Sequence, residues 1–288
     1  MRLASWFIVF YFSFLVSISA QESPMQDLSS DLLFYGDIMM NGFENSSRER
    51  AAGMFEKLFD QYVNENKSIP KEEPFRNYIS VLESPNDDFT LISWMVKLDD
   101  RNCSYNGYLI KDNEVIKFNR TDNLTEETAY STSTTDDWYG CLYYEIMEHK
   151  KNTYLLFGFD GEGKYDNKRL VDVLTLKGDE ISFGAPIFED SESLDTYLNR
   201  IVISYSSDAS VILHYHPGLD LVIHDHLLQR MGQQAGQGPT NIPDGSYEGY
   251  EKKGDKWMYK EKIYDHTYEE APRPSPVFQD KTDDKKGK

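Results

Sequence analysis

Four of the six histidines fall within thirteen residues, His214-Tyr-His216-Pro-Gly-Leu-Asp-Leu-Val-Ile-His224-Asp-His226. Converging imidazoles are ligands for Zn²⁺ or Cu²⁺. In a strand, residues two apart share a face. Val211, Leu213, Tyr215, Leu221, Ile223 and Leu227 are apolar, so odd numbers are expected on the core side of both arms of a hairpin. Pairing odd with odd needs an odd-length loop such as Gly218-Leu219-Asp220. His214 then lies opposite His224, with His216 and His226 on the same outer face, at cross-strand separations of about 5 Å. That register would gather a zinc site, whereas a two-residue turn would split the imidazoles between faces. A solvated polar face that merely accepts histidine is the other use of the same residues.

Carboxylates on strands are the second reactive group. Asp225 is the odd-numbered exception on the apolar face, and Asp172 stands likewise inside Leu170-Val-Asp-Val-Leu174; Glu145 and Glu83 are further strand acids. A buried carboxylate costs several kcal/mol unless paired or hydrogen-bonded, so such positions serve either catalysis or a structural network. Two carboxyls about 5 Å or 6.5–9.5 Å apart would suit glycoside hydrolysis. Asp160-Gly-Glu162-Gly-Lys-Tyr-Asp166-Asn167 offers loop oxygens for Ca²⁺, but Lys164 stands where another oxygen is wanted, and a plain hairpin loop is the expectation. Among the aromatics, Trp138, Tyr139, Tyr247 and Trp257, together with Trp94, Tyr250 and Tyr259, lie on expected strands or at their ends. Exposed rings there would stack on sugars or on a protein partner, and buried ones would fill the core. The chain has no Gly-x-Ser-x-Gly elbow, Walker loop, dinucleotide fingerprint or His-Glu-x-x-His helix.

The elements that must carry these groups follow from periodicity. Residues 27–66 read as two helices punctuated by Asn41-Gly42; in the second, Ser46 and Glu49 have capping-box spacing, and Ala51, Phe55, Leu58 and Tyr62 with Met54, Phe59 and Val63 form an apolar stripe. From Tyr78 to Ile263 the pattern becomes short Val, Ile, Tyr, Phe, Trp and Thr runs between Gly, Asn and Asp clusters. Turns such as Lys177-Gly178-Asp179 and Lys252-Lys253-Gly254-Asp255 favour an antiparallel meander. Residues 119–137 and 229–244 are expected as surface loops. The fold class is therefore mainly β: a helical hairpin (21–74) packed on one antiparallel β-meander domain (75–263), its closure as barrel, sandwich or propeller-like sheet left open, and a disordered tail (264–288).

Arg2, the apolar run Trp6–Val16 and the small residues Ser17-Ile18-Ser19-Ala20 have the layout of a secretory signal over residues 1–20. Export would permit a disulfide between Cys103 and Cys141; two unpaired strand cysteines are the other outcome. The 288 residues carry 30 Lys and Arg against 49 Asp and Glu, a net charge of −19, so a nucleic-acid partner is excluded on charge.

Taken in order, Ile79-Ser-Val-Leu-Glu-Ser-Pro85, Trp138-Tyr-Gly-Cys-Leu-Tyr-Tyr-Glu-Ile146, Tyr154-Leu-Leu-Phe-Gly-Phe-Asp-Gly161, Phe183-Gly-Ala-Pro-Ile-Phe188 and Gly245-Ser-Tyr-Glu-Gly-Tyr250 before Trp257 resemble a family of secreted, uncharacterised proteins common in Bacteroidota, over most of residues 75–263. The resemblance implies an exported periplasmic or extracellular protein with no established reaction. The chain departs from that pattern at Cys141, where a small non-thiol residue is typical, and at His214, His216 and His224, which such proteins usually lack. The expected function is non-catalytic binding or association with the cell envelope, with a glycan or envelope protein as partner and no cofactor unless zinc; a hydrolase using strand carboxylates or a histidine-bound metal is the alternative. The signal reading has a direct check: N-terminal sequencing of the exported protein is expected to find cleavage after Ala20 or Ser19, and an intact Met1 in that fraction would refute it.

Overall fold

The computed structural model describes residues 24–263 apart from Glu72, Asp179 and Leu194. The expected signal segment and tail lie outside the described residues. The backbone divides between Tyr78 and Ile79 into two units.

In the first unit, α1 (Pro24–Asn41) and α2 (Asn45–Asn66) form the expected hairpin. Helix α2 buries Ala51, Ala52, Phe55, Phe59, Tyr62 and Val63 at helical spacing, and Phe75 from a 3₁₀ turn stacks on both Phe55 and Phe59 at 5.8 and 5.9 Å. Met54, expected in the stripe, is exposed. The expected capping box does not cap: Glu44 is the N-cap and makes no side-chain bond, which leaves Ser46 already inside the helix. Arg48 instead reaches back to the Gly42 carbonyl at 2.8 Å and tightens the turn.

The second unit is built of sixteen strands among the described residues. A first sheet is a meander of β1 (Ser80–Glu83), β2 (Phe89–Lys97), β3 (Cys103–Lys111) and β4 (Glu114–Lys117). A second runs in the order β5 (Ser133–Thr134), β9 (Glu180–Phe183), β8 (Asp166–Lys177), β7 (Thr153–Asp160) and β6 (Leu142–Lys150). Strand β8 is long enough to pair with β9 at its end and with β12 (Ile201–Ser206) at its start. A third sheet has the order β11 (Tyr197–Leu198), β10 (Phe188–Glu189), β16 (Lys256–Lys260), β15 (Pro239–Lys253), β14 (Leu221–Met231) and β13 (Leu213–His216). Pairing between named strands is antiparallel except for one parallel contact, Phe188 with Trp257. No sheet among the described residues closes on itself.

The second sheet lies in the middle, and its sequence explains why. Alternation in β7 and β8 sends Tyr154, Leu156, Leu170 and Leu174 into a core shared with Leu91, Tyr105 and Leu109 of the first sheet. The intervening Leu155, Phe157, Val171 and Val173 enter a second core with Val222, Tyr250 and Trp257 of the third. Strands covered on both faces need apolar residues at consecutive positions, which is what Tyr-Leu-Leu-Phe and Leu-Val-Asp-Val-Leu provide. Gly107 makes room in the first core, since a Cβ there would overlap the Phe118 ring.

Asp172 is the single carboxylate in that run, and Arg200 enters to meet it. Arg200 is 0% exposed; its Nε donates to Asp172 Oδ1 at 3.1 Å, where the Val173 N–H also donates at 2.9 Å, and the Tyr143 hydroxyl donates to Oδ2 at 3.3 Å. The same guanidinium donates through Nη1 to the carbonyls of Thr128 and Ser131 at 2.8 and 3.2 Å and lies 4.7 Å over the Tyr139 ring. Residues 119–137 are therefore not the loose surface loop their Thr, Asp and Glu content suggested. They form a strap with a 3₁₀ turn at Glu126–Tyr130, buried Leu124 and Ala129, and carbonyls held from below. The expected loop at 229–244 is also shorter than its glycines and prolines implied. Strands β14 and β15 extend to Met231 and from Pro239, and Pro239 and Pro243 are tolerated because β16 pairs with β15 only at Gly249–Lys253.

Removing one partner of a buried pair strands the other charge. Asp172→Ala is expected to cost about 3–5 kcal/mol in denaturant unfolding, and the joint Asp172→Leu/Arg200→Met replacement much less. A single-variant cost near zero would mean that the pair does not hold the strap.

Candidate functional site

The four histidines do not share a face. The connection Pro217–Asp220 has four residues, so Leu213 pairs with His224, His214 with Ile223, Tyr215 with Val222 and His216 with Leu221. Strand β14 thus turns even numbers inward: Val222 and His224 join Leu213 and Tyr215, while His214 and His216 point to the other side. A register shift between Asp225 and Leu227 changes the phase again, and His226 binds Asp244 with Nδ1 2.9 Å from Oδ2. The expected zinc cluster is corrected on this register, and no group of three or more His, Cys, Asp or Glu among the described residues has metal-holding geometry.

The strand carboxylates are structural partners. Asp172 belongs to Arg200. Asp225, buried as expected, accepts from the Ile212 N–H at 2.6 Å and fixes the entry to β13. Glu145 accepts from the Tyr215 N–H at 3.3 Å and, with the Tyr144 hydroxyl on the Leu213 carbonyl at 2.7 Å, ties the middle sheet to the third. Burial pushes the Glu145 carboxyl above its ordinary range, with the Tyr215 N–H opposing. In the calcium-like loop each acid has a protein donor: Asp160 takes the Tyr105 hydroxyl, the Glu162 N–H and the Lys168 ammonium, Glu162 takes Arg120, and Asp166 takes Thr240. Of the candidate rings, Trp138 and Trp257 take the core alternative, and their indole N–H groups donate to the Tyr143 hydroxyl and to His149 Nδ1. Tyr139 lies under Arg200, and Tyr247 is half-buried opposite Asp225. Cys103 and Cys141 are separate buried thiols, and burial raises the pKa of both.

What the fold does gather is a groove between the strap and the third sheet. Its first cavity, about 530 Å³, is walled by Glu126, Glu127 and Tyr130 of the strap, by Asp190 and Glu192 of the segment after β10, by β12, and by His224, Glu248, Tyr250 and Tyr259. Five acids and three tyrosines line it, with neither lysine nor arginine. The acids and rings are paired: the Tyr130 hydroxyl donates to Asp190 at 3.0 Å and the Tyr259 hydroxyl to Glu248. Both phenols are held neutral, Tyr259 by burial first and then the Glu248 bond, Tyr130 by the Asp190 bond first and then burial. Tyr250 packs edge-on against Tyr259 at 5.7 Å, and Tyr130, 56% exposed, presents an open ring. Two further cavities of about 630 and 500 Å³ adjoin the first through Glu126 and Ser204, and these carry cations: Arg101 and Lys168 in one, Lys164 and Lys168 in the other. The charged groups of the groove are acidic at the tyrosine end and of both signs at the other, among apolar residues such as Ile201, Ile203 and Leu227.

Sequence reasoning missed Glu126, Glu127, Tyr130, Asp190, Glu192 and Glu248, which lie far apart in the chain. Of the cavity's polar groups, Tyr250, Tyr259 and His224 stand out in the sequence, the first two as strand aromatics and the third in the histidine-rich stretch. Compared with protein-family models, curated proteins and solved structures, the chain matches none.

His224 is 5% exposed; its Nδ1 lies 3.0 Å from the Asp225 carbonyl and 3.6 Å from Glu248 Oε1. Burial lowers its pKa, against the raising pull of the Asp225 carbonyl, Glu248 and Asp225, while His226 adds to the lowering. His149 is lowered likewise, by burial and then by Lys252 and Lys150. With folded values below the unfolded value of about 6.5, the unfolded chain binds more protons as pH falls past that point, so these groups contribute stability above it that is lost on acidification. Unfolding free energy is expected to decline as pH falls below roughly 6.5, by up to about 1.4 kcal/mol per pH unit for each histidine. Urea melts should show a shallower decline in His224→Asn, and an identical slope in both proteins would remove His224 from the account.

Proposed function

We propose that this chain is an exported, non-catalytic binding protein, periplasmic or extracellular, whose ligand occupies the groove beneath the strap. The observation that carries this reading is the first cavity: its size is that of a small-ligand site, its walls are mostly strands of two packed sheets, and its tyrosine hydroxyls are oriented by carboxylates. Rings held this way offer a face to a ligand at little entropic cost, because the side chain is already ordered. Asp172, Asp225 and Glu145 do not line the groove, which favours binding over acid–base chemistry by these residues. Export rests on the signal-like residues 1–20, and kinship with secreted Bacteroidota proteins rests on the quoted strand segments. A glycan or an envelope protein remains the proposed partner class.

One observation favours hydrolysis as a second reading, the His224–Glu248 pair on the cavity wall. Release of reducing sugar or amine from a polymer, lost in His224→Ala, would establish it. For binding, the check is a glycan array together with pull-down from envelope extract. Tyr130→Ala is expected to weaken retention by about 0.5–1.5 kcal/mol, roughly two- to tenfold. Retention of nothing by the wild type, on array or in extract, would count against a binding role.

A further inference from the structure

We infer that the groove takes an extended peptide segment carrying a basic side chain, which adds as a further strand to the open edge of β12 at Val202 and Ser204; this rests on the groove being a binding site.

Strand register identifies the edge. The Val173 carbonyl of β8 accepts from the Gly184 N–H, just past β9, at 2.8 Å, so odd-numbered residues of β8 turn their backbone groups toward the edge that β9 and β12 share. Val171 with Ile201, Arg169 with Ile203 and Asn167 with Tyr205 are therefore the hydrogen-bonded pairs. Alternation then points the N–H and C=O of Val202 and Ser204 away from β8. Two bonds on that side agree: the Ala129 carbonyl accepts from the Arg200 N–H at 3.3 Å, and Asn241 Nδ2 donates to the Ser204 carbonyl at 3.0 Å. Ala129 and Asn241 both line the first cavity, as do the consecutive residues Ile201–Ser204. Between those two bonds, the N–H and C=O of Val202 and the Ser204 N–H meet no turn, loop or side chain among the described residues, and no strand but β8 pairs with β12.

Free strand edges are usually blunted by charge, by proline or by a covering side chain. Strand β4 carries Glu114 and Lys117, and β15 carries Pro239 and Pro243 along the stretch that β16 leaves unpaired. The outer edge of β13 is taken by the Tyr144 hydroxyl on the Leu213 carbonyl and by Glu145 on the Tyr215 N–H. Strand β12, Ile-Val-Ile-Ser-Tyr-Ser, has neither charge nor proline, and its edge opens into a cavity of about 530 Å³ that admits a few residues of a single chain. A peptide residue opposite Val202 would give one backbone bond and receive another. The residue two positions along would accept from the Ser204 N–H and donate to the Ser204 carbonyl, whose second lone pair is free. Main-chain bonds of this kind supply affinity, and alternate side chains fall on the walls. Those walls hold Glu126, Glu127, Asp190, Glu192 and Glu248 with neither lysine nor arginine, so a Lys or Arg side chain meets complementary charge there. A glycan has no run of N–H and C=O groups at strand spacing, and the edge thus favours a protein segment of the two partner classes.

The test is fluorescence anisotropy of labelled Val-Lys-Val-Lys-Val-amide titrated with the full chain. Because the chain carries a net charge of −19, a basic peptide would also gather on it loosely, and the same peptide with every backbone amide N-methylated keeps the charge and side chains while removing the donors. Val202→Pro deletes the edge N–H and leaves the bonds to β8 in place, a substitution that edge strands tolerate. Saturable binding, weakened about tenfold by N-methylation and about tenfold in Val202→Pro, supports the inference. Equal binding of the N-methylated peptide overturns it, since that is general attraction, and so does undiminished binding by Val202→Pro. Equal binding of Val-Glu-Val-Glu-Val-amide overturns the basic character of the segment. If circular dichroism shows that Val202→Pro does not fold, amide exchange in the wild type decides: slowing at Val202 and Ser204 on adding the basic peptide supports the strand, and no change there overturns it. Failure of the basic peptide to bind, with a neutral glycan still retained through Tyr130, overturns the strand while leaving the binding role intact; failure of the peptide, the array and the extract removes both.

Discussion

Arg200 is a full charge placed where water cannot reach it, and the middle sheet is organised around neutralising it. Bringing a guanidinium and a carboxylate into a core costs several kcal/mol each, recovered only when geometry and hydrogen bonding are nearly complete. Asp172 meets one side of the group, Tyr139 lies beneath it, and Nη1 donates to the carbonyls of Thr128 and Ser131, while Nη2 has no partner among the described residues. Those carbonyls belong to the strap. The interaction therefore does more than stabilise: together with buried Ala129 and the Asn199 N–H donating to the Ala129 carbonyl at 2.6 Å, it holds residues 126–131 against β12 and so raises one wall of the groove.

The rest of the second unit follows from a sheet covered on both sides. Two apolar faces mean two cores, and the first sheet is apolar on its other face as well, where Ile92, Trp94, Tyr108 and Ile110 are buried. The third sheet contributes Glu248, Tyr250 and Tyr259 to the groove, and the strap and the segment after β10 contribute the other acids and Tyr130. Glu248 and Tyr250, two apart on β15, face the same way, and Tyr259 of β16 lies opposite Tyr250. Strand pairing alone thus places three of the groove's functional groups within reach of one another.

Much of the architecture was legible in the chain. Helical spacing in Ala51, Phe55, Phe59 and Tyr62 marked the hairpin, and consecutive apolar residues in β7 and β8 marked strands, because burial demands are written locally. The histidine hairpin shows where local reading ends. Alternation correctly placed His214 and His216 away from Leu213, but the relation of one arm to the other depends on the parity of the connecting loop, and Pro217–Asp220 is even where odd was expected. One residue of slip sends His224 inward and scatters the cluster. Whether Trp138 and Trp257 would stack on a ligand or fill the core was open for a related reason: period two says which rings share a face, not whether another sheet covers it, and both rings are in the core.

What the chain alone determined is its class: mostly β, with a helical hairpin first, acidic, and bounded by turns whose chemistry is local. The tertiary structure decided the number of layers, the fate of every candidate acid and ring, and the existence of the groove. The physical reason is range. Propensity and alternation act over a few residues, whereas a cavity formed by Glu126, Asp190, His224 and Glu248 is made by contacts across more than a hundred positions, and nothing in the spacing of such residues along the chain records that they will meet.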